Sequence, residues 1–200
     1  MGKYTLVLDT SYKYLVVGLA KDGAVIDKIQ YGAFQRQSEY AVSEVENILK
    51  RNNISAKDLS RVVITNGPGS YTGIRIALTI AKTLAMVLGC EIITLSSLEM
   101  FVKPVGKYVS ILDARSKRAY VGRYENGLPT YEDCVLTIDE LKEWISNNPD
   151  YQVVGEVKVL GLEEVEVDIA KHMFEMSKNK ESVKDVDALV PTYLKENYDY

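Results

Sequence analysis

The stretch Gly2-Lys3-Tyr4-Thr5-Leu6-Val7-Leu8-Asp9 returns as Gly106-Lys107-Tyr108-Val109-Ser110-Ile111-Leu112-Asp113, and nothing else in the chain restricts its fold as much. The offset of 104 residues persists beyond these stretches: Lys13, Val17, Gly18 and Gly23 match Lys117, Val121, Gly122 and Gly127, giving nine identities in 22 aligned positions. Self-similarity at a fixed spacing marks a duplicated unit. Each copy begins with an apolar strand ending on an aspartate, turns, runs back as a second strand, and reaches Asp22-Gly23 or Asn126-Gly127, dipeptides that favour tight hairpin turns. Such a chain folds as two lobes, each organised around a hairpin.

The first copy continues with a third strand near residues 25–31 and a helix over 39–50, where Ala41, Val42, Val45, Ile48 and Leu49 recur at helical spacing. Ser55 caps a short helix, followed by a strand at 61–65, a long apolar helix at 71–88, a strand at 91–95 and a second cap at Ser96-Ser97-Leu98-Glu99. Lys103-Pro104-Val105-Gly106 interrupts both kinds of periodicity and reads as a linker, which divides the chain into lobes 1–102 and 103–200. In the second, smaller copy, Thr137-Ile138-Asp139-Glu140 caps a helix running to Ile145, with a strand at 151–154 and a helix at 167–177. The expected class is α/β with duplicated βββαβα lobes.

The run Asn66-Gly67-Pro68-Gly69-Ser70-Tyr71-Thr72-Gly73-Ile74-Arg75 joins strand to helix. Glycines at a helix start suit an anion cradle, but this spacing fits neither the P-loop nor the dinucleotide fingerprint, whose third glycine would fall at Thr72. The other reading is a tight turn with Ser70 or Thr72 as N-cap. In the helix that follows, Ala77, Ala81 and Ala85 form a smooth stripe, either core or a seat for a second subunit.

A net charge of -4 gives no overall field for a phosphate backbone. Two cysteines, Cys90 and Cys134, provide neither a disulfide framework nor a cysteine metal site, and a reducing cytoplasm is the expected setting. No membrane-spanning run is expected, because Arg75, Thr79, Lys82 and Thr83 break the long helix. His172 is the only histidine, so one chain assembles no histidine pair and no Ser-His-Asp triad; it is expected at the surface or a boundary. Arg115, Lys117 and Arg118 read as a solvated basic hairpin or a phosphate or tRNA contact, and Glu163, Glu164, Glu166 and Asp168 as solvated charge before a helix.

The duplicated order with an aspartate at each first turn resembles the actin-like ATPase and sugar-kinase fold (ASKHA, ribonuclease H-like), whose two lobes hold a nucleotide. That resemblance implies that Asp9 and Asp113 face each other across a cleft, with Thr10 and Ser11 adding hydroxyls suited to Mg²⁺ or phosphate, a site at most vestigial here. Aspartates after strands equally serve to satisfy turn amides. A small ATPase or phosphotransferase using Asp9 and Asp113 with Mg²⁺ is therefore the alternative function, with a peptidase ranked last.

At finer detail the chain resembles the TsaB (YeaZ) family along nearly its whole length. The resemblance rests on Leu8-Asp9-Thr10-Ser11, on Gly67-Pro68-Gly69-Ser70-Tyr71-Thr72-Gly73-Ile74-Arg75-Ile76, on Ser96-Ser97-Leu98-Glu99, on Leu112-Asp113-Ala114-Arg115 and on Pro191-Thr192-Tyr193-Leu194-Lys195. It implies a non-catalytic paralogue of TsaD that binds TsaD and TsaE homologues during synthesis of threonylcarbamoyladenosine at adenosine 37 of tRNAs reading ANN codons. It further implies no cofactor, no catalytic residue, tRNA contact only through the complex, and a homodimer when alone. The implied contact face comprises the helices at 39–50 and 71–88, with Tyr40, Ile74, Ala77, Leu78, Ala81 and Ala85 as its residues. Two departures stand out: Arg36-Gln37-Ser38 lacks the histidine many relatives carry there, and Ala77 replaces a frequent glycine.

Overall fold

The structure is a computed structural model that describes residues 4–33 and 35–194. Gly2 and Lys3 of the repeat and Lys195 of the terminal motif lie outside the described residues. Strands β1 (Tyr4–Asp9), β2 (Tyr14–Lys21) and β3 (Ala24–Gly32) form a meander, to which β4 (Leu59–Thr65) and β5 (Glu91–Leu95) add in parallel on the β1 side. The sheet order is β3-β2-β1-β4-β5. Helices α1 (Gln37–Arg51) and α2 (Tyr71–Leu88) cover one face. Leu6, Leu8, Val62 and Ile64 point to that face, and their neighbours Val7 and Val63 point to the other. Alternation of this kind, apolar on both faces, is what a strand covered on two sides requires.

The second sheet repeats the plan in the order β10-β6-β7-β8, built from β6 (Lys107–Arg115), β7 (Arg118–Glu125), β8 (Leu128–Pro129) and β10 (Gln152–Gly155). The third strand of the repeat is divided: β9 (Cys134–Thr137) also pairs with β7. Helix α3 (Ile138–Asn147) starts at a reciprocal capping box between Thr137 and Glu140, at the residues the sequence marks for it. Both hairpin turns take the expected form, with Asp22, Gly23, Asn126 and Gly127 all at positive φ. The opposite ends of the hairpins differ. Asp9 closes its strand opposite Val16, whereas β6 runs on past Asp113, which faces Ala119, and turns through Arg115, Ser116 and Lys117 at φ of 68°, 51° and 59°. The pairing of the second hairpin is thus one residue out of step with the first, although the sequence offset is constant.

The end of the chain departs from a division at residue 102. Helix α4 (Ile169–Ser177) lies on the free face of the first sheet, where Ile169, Ala170, Met173 and Met176 join Val7, Val16, Val63 and Ile93 in one core with Tyr108, Leu112 and Tyr124 of the second hairpin. A Cβ on Gly18 would come within 3.0 Å of the Ala170 Cβ, so the helix backbone sits close against β2. The acidic run before α4 is a clasp between lobes as well as solvated charge. Glu164 pairs with Lys13 at 2.7 Å, Asp168 pairs with Lys28 and caps Lys171 N–H, and Gln30 holds both Val167 and Ile169 through backbone groups. His172 sits in this helix, buried rather than at the surface, and burial pushes its pKa down.

By length and composition α2 is long and apolar enough to cross a membrane. The sequence reading expected no such run. In the fold one face of the helix places Gly73, Ile74, Ala77, Leu78 and Ala81 against the first sheet.

Candidate functional site

The first turn and the glycine run meet at the end of β1. Asp9, Thr10 and Thr65 have no exposed surface, and Ser11 and Ser97 are nearly as buried. The Asp9 Oδ1 accepts from Ser11 N–H (3.1 Å), from Ser11 Oγ (2.7 Å) and from the Thr65 hydroxyl, while Ser11 Oγ lies 3.0 Å from Ser97 Oγ. Asp9 Oδ2 has no partner among the described residues. Burial raises the Asp9 pKa against the opposing effect of these donors.

The glycine run closes over this turn instead of opening a cradle. A Cβ at position 73 would stand 1.9 Å from the Thr10 carbonyl oxygen, a distance that no side chain tolerates. The Thr10 hydroxyl donates to the Gly73 carbonyl (2.6 Å) and accepts from Ala77 N–H (3.2 Å), so it is inserted into the first turn of α2. Ser70 is the N-cap, accepting from Gly73 N–H, and its own N–H donates to Ser11 O at 2.9 Å. Gly67, at φ 118°, gives its carbonyl to Ser97 N–H, and Asn66 N–H donates to Leu95 O. The Ser70 and Gly73 N–H groups, donors of the kind a phosphate would need, are spent on the chain itself. Of the two sequence readings, the tight turn is the one this geometry supports.

Asp113 is placed differently. It is partly exposed, accepts from Arg115 N–H (2.8 Å) and pairs with the Arg115 guanidinium (3.2 Å). With Ser116, Lys117 and Thr137 it lines a surface hollow of about 590 Å³ in the second lobe. None of its bonding partners is shared with Asp9. The cleft pairing expected of the two aspartates, with Thr10 and Ser11 facing it, is therefore not formed: Asp9, Thr10 and Ser11 are sealed beneath α2, and Asp113 bonds to its own hairpin.

The alanine stripe is also corrected. Ile74, Ala77 and Ala81 have no exposed surface and Leu78 has little, because they fill the core under α2; Tyr40 and Ala85 are half-buried. A partner touching this face in its present form meets other side chains. Val42 on α1 and Met86 and Val87 on α2 are exposed by 64%, 74% and 73%, with Thr72, Thr79 and Thr83 between the apolar positions of α2.

Comparison with known proteins bears on this geometry. A family model described as TsaD, tRNA N6-adenosine threonylcarbamoyltransferase, matches residues 32–151. MG208 of Mycoplasma genitalium is 30% identical over 201 residues, spanning 98% of this chain and 97% of that one. The tRNA threonylcarbamoyladenosine biosynthesis protein TsaB of Bacillus subtilis is 37% identical over 129 residues, a match that covers 62% of this chain and 56% of that protein. The solved structure of YeaZ from Pseudomonas aeruginosa superposes with a TM-score of 0.79, covering 97% of this chain and all of that one at 18% identity. The chain belongs to the TsaB (YeaZ) family. Its fold is the actin-like one of that family, with two related lobes.

Two of the TsaB-type motifs that the sequence marks shape turns within the first lobe. Gly67 through Gly73 aim α2; Ser96 and Glu99 close the turn after β5, with Ser96 N–H donating to Glu99 Oε2 at 2.8 Å. Sequence reading missed the role of the terminal segment. Residues 178–194 return over the first lobe, where Val183, Val186 and Leu189 pack against its core and Thr192 N–H donates to Asn66 O at 2.7 Å. Its lack of periodicity hid it, although a Gly67 Cβ would meet Thr192 O at 2.2 Å, so the glycine and the terminal motif require each other.

Proposed function

We propose that this chain is a non-catalytic docking subunit of the machinery that installs threonylcarbamoyl groups on tRNA adenosine, binding a TsaD-family enzyme together with a TsaE homologue. Family membership supports the process, and the geometry supports the role. The observation that carries the role is the sealed first turn: Asp9 lies wholly buried beneath α2, and the glycine run above it has turned its backbone groups inward. The same helix presents Met86 and Val87 to solvent, and α1 presents Val42. Exposed apolar side chains of this size are the kind that protein interfaces bury.

Docking follows from burying those side chains on a partner. Complete burial of a side chain the size of Met or Val is worth about 1.5–3 kcal/mol, enough for three or four such contacts to anchor a complex once the cost of association is met. Co-purification of the chain with the TsaD homologue tests the reading: the wild type is retained, and a Met86→Asp, Val87→Asp variant passes through. Retention of that variant at wild-type level would place the contact elsewhere. The chain is expected in the cytoplasm, where tRNA is modified, and to self-associate through the same face when the partner is absent.

A further inference from the structure

The terminal strap does more than cover α2. It runs antiparallel to that helix from Val183, whose N–H donates to Ile92 O, to Tyr193, which stacks on Tyr71 with ring centroids 5.4 Å apart and planes at 18°. Lys82 Nζ donates to Asp187 O at 3.0 Å, and Arg75 Nε donates to the Tyr193 hydroxyl at 3.2 Å while its guanidinium lies 4.2 Å over the Tyr71 ring. These are the two cations of α2, a helix without a single carboxylate. Both are held by neutral groups of the strap. Arg75 is exposed at the edge of the open face, its orientation fixed by two tyrosines and its charge left uncompensated by them.

A guanidinium that lies over one tyrosine ring and donates to the hydroxyl of a second has already given up much of its freedom and needs only a carboxylate to complete it. We infer that the strap is part of the docking surface: Tyr193 aims Arg75 at an acidic side chain of the protein that binds the α1–α2 face. This rests on the docking reading above and adds the chemistry of the contact. The carboxylate that Arg75 meets belongs to a different protein and not to a second copy of the chain. The carboxylates of α1 are already engaged: Glu39 with Arg36, Glu44 with the Tyr31 hydroxyl and Glu46 with Lys50. Another copy of this face therefore offers Arg75 no unengaged acid, while an apolar surface with an acidic rim matches it.

Calorimetric titration of the TsaD homologue with the wild-type chain and four variants of it, each also checked by thermal melting, tests the inference. Arg75→Glu is expected to weaken binding by about a hundredfold and Tyr193→Ala by about tenfold, with melting temperatures close to wild type and a shallower salt dependence of affinity for both. Tyr193→Phe, which keeps the stack and removes only the hydroxyl, covers the case in which the alanine variant fails to fold, and it too is expected to bind more weakly. Met86→Asp reports on the face as a whole. Wild-type affinity for Arg75→Glu together with loss for Met86→Asp would overturn the role of the strap and leave the docking reading standing. Absence of binding by the wild type would overturn both. If sedimentation showed Arg75→Glu abolishing self-association while leaving the TsaD homologue bound, the choice of occupant would be wrong.

Discussion

Gly73 shows how a single position sets this molecule. The carbonyl of Thr10 occupies the space a Cβ would need, 1.9 Å from the ideal position, so Gly73→Ala must move either the first turn or the start of α2. Overpacking of this severity costs about 3 kcal/mol or more. At roughly 2–4 °C per kcal/mol for a chain of this size, thermal melting should show a fall of roughly 6 °C or more. Asp9 carries a pH signature. Its folded pKa is raised by burial, so its contribution to stability is complete below the unfolded carboxylate range and is lost as pH rises through the raised value. Asparagine keeps the acceptor at Oδ1 and cannot ionise. The melting temperature of Asp9→Asn relative to wild type should therefore rise as pH increases above the unfolded carboxylate range, and a fall would show that the ionised carboxylate is the form the fold prefers.

At the scale of elements, Ala81→Arg separates the two roles first open to the alanine stripe. Ala81 has no exposed surface, so the variant buries a charge in the core at a cost of roughly 3 kcal/mol or more and should melt roughly 6 °C or more below wild type. A folded monomer that melts like wild type would return the stripe to the surface. Much at this scale was legible in the sequence. The bounds of α2 at Tyr71–Leu88 and β5 at Glu91–Leu95 follow from apolar runs between glycines and caps, and the Thr137 capping box marks the start of α3. Less was legible where tertiary packing decides. Periodicity shows that Ala77 and Ala81 share a face without saying what covers it. The one-residue slip between the two hairpins is invisible to an offset that stays constant in the sequence. The strap has no periodicity; its backbone bonds go to Ile92 of β5 and to Asn66, and its hold on α2 is made by Lys82, Arg75 and the stack of Tyr193 on Tyr71.

The whole molecule is held together by its own end. Helix α4 crosses to the first sheet and joins a core shared by both hairpins, so the lobes are tied by apolar contact more than by the ion pairs around it. Lys28→Ala removes the pair with Asp168, a partly exposed contact worth about 0–1 kcal/mol, and should shift the melting temperature by only a few degrees. Ala170→Leu pushes α4 off β2 at Gly18 and should cost considerably more, about 1–3 kcal/mol. The reverse order would mean that charge, not packing, joins the lobes. A frame locked in this way, with its first turn sealed and an apolar face left open, is suited to holding another protein in place. The decisive measurement is reconstituted tRNA threonylcarbamoylation with the TsaD and TsaE homologues, scored with no added chain, with wild type, with Asp9→Asn and with Met86→Asp, Val87→Asp. Modification should require the chain, persist with Asp9→Asn and fail with the altered face; full modification without the chain, or its loss on Asp9→Asn with docking intact, would contradict the account.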